Sequence, residues 1–265
     1  MRWEPEAEAL LKRVPFFVRG RVKKKVEEFV RSRGKDVVTA EEMLAAREAL
    51  REKTASVEEG FAVEGCFGST GCPNAVTNSS ALLERLEEVL RQEDLTGFLR
   101  QKVKGPLKHH HQFRVALSEC PNACSQVQIR DFALIGQVEI KTFPERCTFC
   151  GECEQTCEEG AISLTGEGPR LDEERCLRCG ACLKGCAEEA LVPGRKGYRI
   201  LIGGKLGRHP RLATELVPLA SAEEVLEWLR RVLVFYKRHN RAGERLGNII
   251  ERLGWEETKK ELSAL

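Results

Sequence analysis

The sequence predicts an α+β protein, and three observations carry that reading. Segments rich in β-branched and aromatic residues, typical of strands, occur at Phe113–Leu117, Phe132–Ile140 and Tyr198–Ile202. Apolar residues recur at helical spacing in Ala81–Leu90 and Ala222–Arg238. Helices and strands mix without clear βαβ alternation, which points to α+β.

The first fifty residues contain no cysteine and read as helical. A first helix breaks at Pro15, a basic helix follows and stops at Gly34, and a third helix is capped by Thr39 with Glu42. Arg51 to Glu64 reads as a linker. In Ala81–Leu90, Leu82, Leu83, Leu86 and Leu90 share one face. The last long helix follows Ser221, with Glu224 three residues on as a capping box. Its stripe is Val225, Leu226, Leu229 and Val232. Both stripes read as core-facing rather than as partner surfaces.

The 265 residues have room for one large domain or two to three small ones. Net charge is +2 with 32% charged residues, so no polyelectrolyte stripe points to nucleic acid. The acidic start MRWEPEAEAL lacks the apolar centre of a signal peptide. No apolar run approaches the ~18 residues of a membrane span. The expectation is a soluble cytoplasmic protein with no membrane partner. Twelve cysteines stand out, most only two or three residues apart. In a chain without an export signal, such spacing favours metal or cluster ligation over disulfides.

Eight of them form a duplication. Cys147, Cys150, Cys153 and Cys157 follow C-x2-C-x2-C-x3-C, and Cys176, Cys179, Cys182 and Cys186 repeat it in register, with ERCTFCGEC echoed by ERCLRCGAC. In this pattern three thiolates on one loop grip a cubane and the fourth comes from the other repeat. The expected sets are Cys147, Cys150, Cys153 and Cys186 for one 4Fe–4S cluster, and Cys176, Cys179, Cys182 and Cys157 for another. Two zinc sites are the plainer alternative, disfavoured by quartets in register. The segment resembles bacterial two-cluster ferredoxins over about fifty residues, except that Glu158 and Ala187 stand where proline is usual.

Cys66, Cys72, Cys120 and Cys124 remain, as C-x5-C and C-x3-C far apart in the chain. CPNA occurs beside both pairs, at Cys72–Ala75 and Cys120–Ala123. Glycine and proline permit tight turns there, whose backbone N–H groups can bond to cluster sulfurs.

GCFGSTGCPNA together with FRVALSECPNAC resembles the cluster-and-siroheme motif of sulfite and nitrite reductases. The resemblance implies a third 4Fe–4S cluster on Cys66, Cys72, Cys120 and Cys124. It also implies that the Cys124 sulfur is the axial ligand of a siroheme iron. GYRILIGGKLGRHPRLATEL and VFYKRHNRAGERLGNIIERLG are similar to later parts of the same family. The likeness covers roughly residues 57–143 and 190–256, with the ferredoxin segment inserted between. The N-terminal stretch, by its tryptophan start, VPFFVRG, basic helix and VTAEEM, resembles the small helical domain of a light-independent protochlorophyllide reductase subunit. That likeness implies a lid or dock beside a tetrapyrrole; the plainer alternative is a basic three-helix module that packs or binds a partner. The expected domains are therefore 1–52, a helical module; 53–143, the first part of the cluster-and-siroheme domain; 144–192, an inserted two-cluster ferredoxin; and 193–265, the second part.

Candidate site residues follow from position. Lys102, Lys104, Lys108, His109, His110, His111 and Arg114 precede Cys120. Of these, Lys108, His111 and Arg114 are the candidates for holding the oxygens of sulfite or nitrite and delivering protons. The histidine run also reads as a solvated loop. Gly203-Gly204-Lys205 with Arg208 and Arg211 forms a basic glycine loop suited to siroheme carboxylates. The family's K-F-K is Gln112-Phe113-Arg114 here, and Glu119 stands in place of a glycine. The half-repeat of strands that usually precedes the first cluster cysteine is replaced by the helical module. Two functions fit. One is a reductase of a small inorganic anion, fed by an electron-donor protein or reductase subunit, with a homo-oligomer possible. The other is a non-enzymatic multi-cluster electron carrier without siroheme.

Overall fold

A computed structural model describes the backbone of residues 1–265 and the side chains of all but Phe17 and residues 51–55. The chain forms two compact units, Met1–Glu58 and Glu59–Leu265.

In the first unit, strand β1 (Arg2–Trp3), helices α1 (Pro5–Lys12) and α2 (Phe16–Ser32), strand β2 (Val37–Val38) and helix α3 (Ala40–Ala55) follow one another. Pro5 opens α1, where its missing N–H costs nothing. Pro15 stands at the start of α2, and Gly34, at φ +72°, turns the chain beyond its end. β1 and β2 pair in parallel. Ala7, Leu11, Val26, Val30, Val38, Met43 and Ala46 form the buried core, with Trp3 and Phe29 packed against it. Glu42 N–H donates to Thr39 Oγ1 at 3.2 Å, as a cap requires. The Glu42 carboxylate does not complete the expected box; it pairs with Lys35. α3 runs continuously past residue 52, so the boundary expected at 52/53 falls inside a helix.

The second unit is built on a five-stranded sheet of order β3-β4-β5-β8-β9. Its strands are β3 (Phe61–Gly65), β4 (Phe113–Ser118), β5 (Phe132–Thr142), β8 (Leu191–Ile202) and β9 (Thr214–Ala220). β3, β4 and β5 are parallel neighbours; β8 and β9 run antiparallel. The stretch expected to be a linker, Arg51 to Glu64, thus contains most of an edge strand. Gln112 explains why it holds: its buried amide donates to the carbonyls of Glu59 and Phe61, both at 3.1 Å. Helices α4 (Ser80–Gln92) and α5 (Leu95–Lys102) form the crossover between β3 and β4.

Helix α8 (Ala222–His239) carries the complete Ser221–Glu224 capping box and buries its apolar stripe. It packs on α4 and the sheet, and Tyr236 lies 5.2 Å from Phe113, ring centre to ring centre. The opposite sheet face presents small residues. Ala116 and Ala133 there let Ala123 and Val127 of the β4–β5 connection lie close to the strands. Between β5 and β8 the chain makes helices α6 (Glu152–Thr156) and α7 (Ala181–Gly185) around a hairpin of β6 (Ile162–Thr165) and β7 (Gly168–Leu171). Helices α9 (Leu246–Leu253) and α10 (Trp255–Ala264) close the chain. Among the described residues, no helix is long and apolar enough to cross a membrane.

Asp131, fully buried, joins these parts. It accepts from Arg114 N–H on β4 at 2.8 Å, from Arg245 Nε and Nη2 at 2.9 and 2.6 Å, and from Leu246 N–H at 3.3 Å. Burial alone would pull the Arg245 pKa down; the charge of Asp131 and its hydrogen bonds outweigh that and raise it. Removing one partner of such a pair strands a buried charge. Asp131→Ala should cost about 3–5 kcal/mol in anaerobic urea denaturation. A second substitution, Arg245→Met, should recover part of the loss.

Candidate metal centre

The site begins where β3 and β4 end. Their register aligns Gly65 with Leu117, so the loops carrying Cys66 and Cys120 leave the same end of the sheet. Cys66 caps a short 3₁₀ turn, Phe67–Thr70, and its sulfur accepts from Gly68 N–H at 3.4 Å and Glu119 N–H at 3.3 Å. Ala123 and Gln126 both take left-handed backbone, at φ 53° and 55°, which curls the Cys120 loop. Ser118 and Ser125 close it through a hydroxyl pair at 2.6 Å. Burial pushes the Cys120 thiol up, and Cys124, Cys72 and Cys66 add to the shift, so all four stand within electrostatic reach. Cys120 is buried and Cys124 exposed.

The duplicated loops fold alike. Phe149 and Arg178 hold matching left-handed positions, φ 62° and 57°. Their N–H groups donate to Cys147 and Cys176 sulfurs, each at 3.4 Å. Ala161 and Leu191 N–H groups donate to Cys157 and Cys186 sulfurs, each at 3.3 Å. A cavity of about 240 Å³ is lined by Cys147, Cys150, Cys153 and Cys186. Burial pushes Cys153 up, and Cys186 from the other repeat adds to it. Burial likewise drives Cys182 up to about 12, with Cys176, Cys179 and Cys157 contributing.

Free thiols in such places stay protonated at neutral pH; binding iron removes their protons. Among the described residues, no three His, Cys, Asp or Glu side chains converge on a point fit for a single metal ion. The thiols of the duplicated loops instead line cavities, and the sulfurs of Cys147, Cys157, Cys176 and Cys186 already accept backbone N–H bonds. This donor set fits a polyatomic iron–sulfur cluster better than one zinc ion.

The cysteine sets adjoin. One cavity of about 260 Å³ is lined by Cys120, Pro121 and Asn122 on one side and by Cys157, Cys176, Cys179 and Cys182 on the other. Lys184 Nζ on α7 donates to Pro73 O at 2.5 Å. Val138 N–H donates to Arg178 O at 3.0 Å where the β5–β8 register slips, and Gln137 Nε2 reaches Leu177 O at 3.2 Å. At Gly180, φ +72°, a Cβ would stand 2.9 Å from Val138.

The candidate cations separate. Arg114 lies with Arg130 and Arg245, neither of them a candidate from the sequence. Burial lowers the Arg114 pKa, with Arg130 and Arg245 adding to it. Nε of both Arg114 and Arg130 is buried without a hydrogen-bond partner. Arg130 also pairs with Glu64 at 2.5 Å. Lys108 is exposed, and its N–H donates to His111 Nδ1 at 3.1 Å. Burial lowers the His111 pKa, with His110 and Lys108 contributing. The 203–213 loop lies against the segment after Cys124, through Gly204 N–H to Arg130 O and Ala213 N–H to Gln128 O, both at 2.7 Å. Within it Lys205 corrects the expectation of a free cation. It is buried, bonded to Asn248 and paired with Glu251 at 2.7 Å. Arg211 is engaged with Gly203 O and Thr214 Oγ1, both at 2.8 Å. Arg208 is exposed.

Lys184→Ala should loosen the join between the second repeat and the Cys72 loop. Losing one exposed charge-assisted hydrogen bond of about 1 kcal/mol should speed amide exchange at Ala75 and Val76 roughly fivefold, read by hydrogen-exchange mass spectrometry.

The nitrite and sulphite reductase 4Fe-4S domain matches residues 59–264. The proto-chlorophyllide reductase 57 kD subunit family matches residues 3–47. A coenzyme F420-dependent sulfite reductase of Methanocaldococcus jannaschii is 36% identical over 157 residues, covering 58% of this chain and 25% of the relative. One subunit of the light-independent protochlorophyllide reductase of Chloroflexus aurantiacus is 60% identical over 43 residues, 16% of this chain and 8% of that one. The chain thus spans a quarter or less of the length of these curated relatives. The crystal structure of dissimilatory sulfite reductase I has the same fold, with a TM-score of 0.57 at 20% identity, over 83% of this chain and 58% of that one. With most of its length matched, the chain belongs to the nitrite and sulphite reductase 4Fe-4S domain family.

Proposed function

We propose that the protein is an iron–sulfur oxidoreductase that reduces sulfite at a siroheme held against Cys124. The observation that carries this is that the Cys66 and Cys120 loops leave the same end of the sheet, with Cys124 exposed on the second of them. Sulfite is the anion named for the Methanocaldococcus relative; nitrite is the alternative to assay beside it. Loaded with three 4Fe–4S clusters and siroheme, the site would supply stored electrons and an iron at which the anion is reduced.

The chain's own residues would do the rest. Cys66, Cys72, Cys120 and Cys124 hold the first cluster. The sets Cys147/Cys150/Cys153/Cys186 and Cys176/Cys179/Cys182/Cys157 hold the others. Lys184 keeps the latter set against the Cys72 loop, and Gln137 and Val138 keep it against β5. Nε of Arg114 and Nε of Arg130 lack acceptors, and an oxyanion satisfies such N–H groups while offsetting crowded positive charge. His111 accepts at Nδ1, which leaves the proton of its neutral ring on Nε2, and Lys108 keeps that surface cationic. Arg208, exposed in the loop that lies against the segment after Cys124, is the cation for a siroheme carboxylate. Leu206 and Leu212 of the same loop are 64% and 68% exposed, apolar surface suited to a macrocycle.

In this reading residues 144–192 are the electron-input insert, and 53–143 with 193–265 form the cluster-and-siroheme domain. Residues 1–52 form a tetrapyrrole-associated module, supported by the likeness to protochlorophyllide reductase. An electron-donor protein or reductase subunit would supply the electrons in the cytoplasm.

Anaerobically purified full-length protein, reconstituted with iron, sulfide and siroheme, tests this. The reading requires about twelve cluster irons per chain and a siroheme band in the visible spectrum. Full clusters with no tetrapyrrole uptake would favour the electron-carrier function instead. Cys120→Ser and Cys124→Ser should both weaken the cluster, and only Cys124→Ser should also change the siroheme axial signature. A separate outcome concerns the repeats. Cys153→Ala and Cys186→Ala should abolish the same electron paramagnetic resonance signal; loss of two different signals would mean that each repeat holds its own cluster.

A further inference from the structure

Glu119 precedes Cys120 and is 2% exposed. Its carboxylate accepts from Thr77 Oγ1 at 2.5 Å, Ser79 N–H at 2.9 Å and Ser79 Oγ at 2.8 Å. Ser79 has one hydroxyl proton, so the 2.8 Å contact between its oxygen and Tyr198 is donated by the phenol. Burial raises the Tyr198 pKa, which keeps that donor protonated. Every group bonded to the carboxylate is thus a donor. No cation pairs with it among the described residues.

The backbone of the same residue ties down both cysteine loops. Glu119 N–H donates to Cys66 sulfur at 3.3 Å, and Glu119 O accepts from Val76 N–H at 3.0 Å. Two glycines clear the space around it. A Cβ at Gly68 would stand 2.3 Å from Glu119 Cγ, and one at Gly136 would stand 2.4 Å from Thr77 Oγ1 and 2.5 Å from Glu119 O. A buried carboxylate without a cation costs stability that a neutral residue would not. Its side chain instead receives three hydrogen bonds, next to Cys120 and with its own N–H on the Cys66 sulfur.

We propose that Glu119 is a positioning residue that also sets charge: it clasps the two cysteine loops, and its carboxylate lowers the midpoint potential of the cluster on Cys66, Cys72, Cys120 and Cys124. The inference rests on the ligation reading above. Reduction adds an electron to the cluster, and a fixed negative charge beside it opposes that addition. The Tyr198–Ser79 donors partly offset the charge.

The test is a redox titration of the anaerobic full-length protein, following each cluster by electron paramagnetic resonance. Glu119→Gln keeps the shape and removes the charge, so this cluster's potential should move positive while the other two stay fixed. Tyr198→Phe removes a donor and keeps the charge, so the same potential should move negative. A residue that only braced the loops would shift both variants the same way. Shifts of like sign, or no shift in Glu119→Gln with the cluster present, overturn the proposal. If Glu119→Gln loses the cluster, Tyr198→Phe decides: a negative shift supports the proposal, and a zero or positive shift overturns it. Wild-type protein without a signal lost in Cys66→Ser overturns the ligation reading, and this proposal with it.

Discussion

The parallel, in-register pairing of β3 with β4 is the constraint on which the candidate centre depends. Strands that pair this way end side by side, so loops leaving them start about one strand spacing apart, roughly 5 Å. Gly65 opposite Leu117 sets that start for Cys66 and Cys120. A one-residue slip would turn every side chain to the other face and separate the loops. Gln112 and Asp131 hold the register from either side. The first bonds the chain entering β3, and the second bonds β4 to the start of α9.

The centre is assembled from groups that cost stability while they lack a partner. Buried thiols are pushed up, two arginines carry orphaned donors, and non-glycine residues occupy left-handed backbone at Ala123, Phe149 and Arg178. Such strain is of order 1–3 kcal/mol per residue. A cluster would offset it by bonding the thiolates, and an oxyanion would offset it by accepting from the arginines. On that reading, binding and folding would be coupled here. The amide N–H groups are already aimed at four of the sulfurs in the duplicated loops, so little rearrangement is needed.

Adjacency between cysteine sets comes from β5. Its N-terminal half lies between β4 and β8, while the register slip near Val138 lets the second repeat bond to it. The long β5–β8 pair thus carries the intervening segment back against the Cys120 loop. Lys184 reaches Pro73 across that join. The geometry brings Cys120 to one cavity with Cys157, Cys176, Cys179 and Cys182, while Cys147, Cys150, Cys153 and Cys186 line another.

By itself the sequence determined the elements whose signals are local. Ser221 with Glu224 starts α8 because a hydroxyl and a carboxylate three residues apart satisfy the free N–H groups of a first helical turn. The cysteine spacing of the duplicated loops is likewise local, as are the three central strands. Tertiary structure decided what depends on long-range pairing. Residues 61–64 looked like part of a linker because one short edge strand carries little pattern, and only β4 and Gln112 make them a strand. Lys205 looked like a free cation until α9 supplied Asn248 and Glu251. Arg130 and Arg245 gave no local sign of their importance, since it arises from their meeting with Arg114 around Asp131. Glu119 showed in sequence only as an unexpected neighbour of a cysteine. Its hydroxyl partners lie at residues 77, 79 and 198, and only folding brings those positions around one carboxylate.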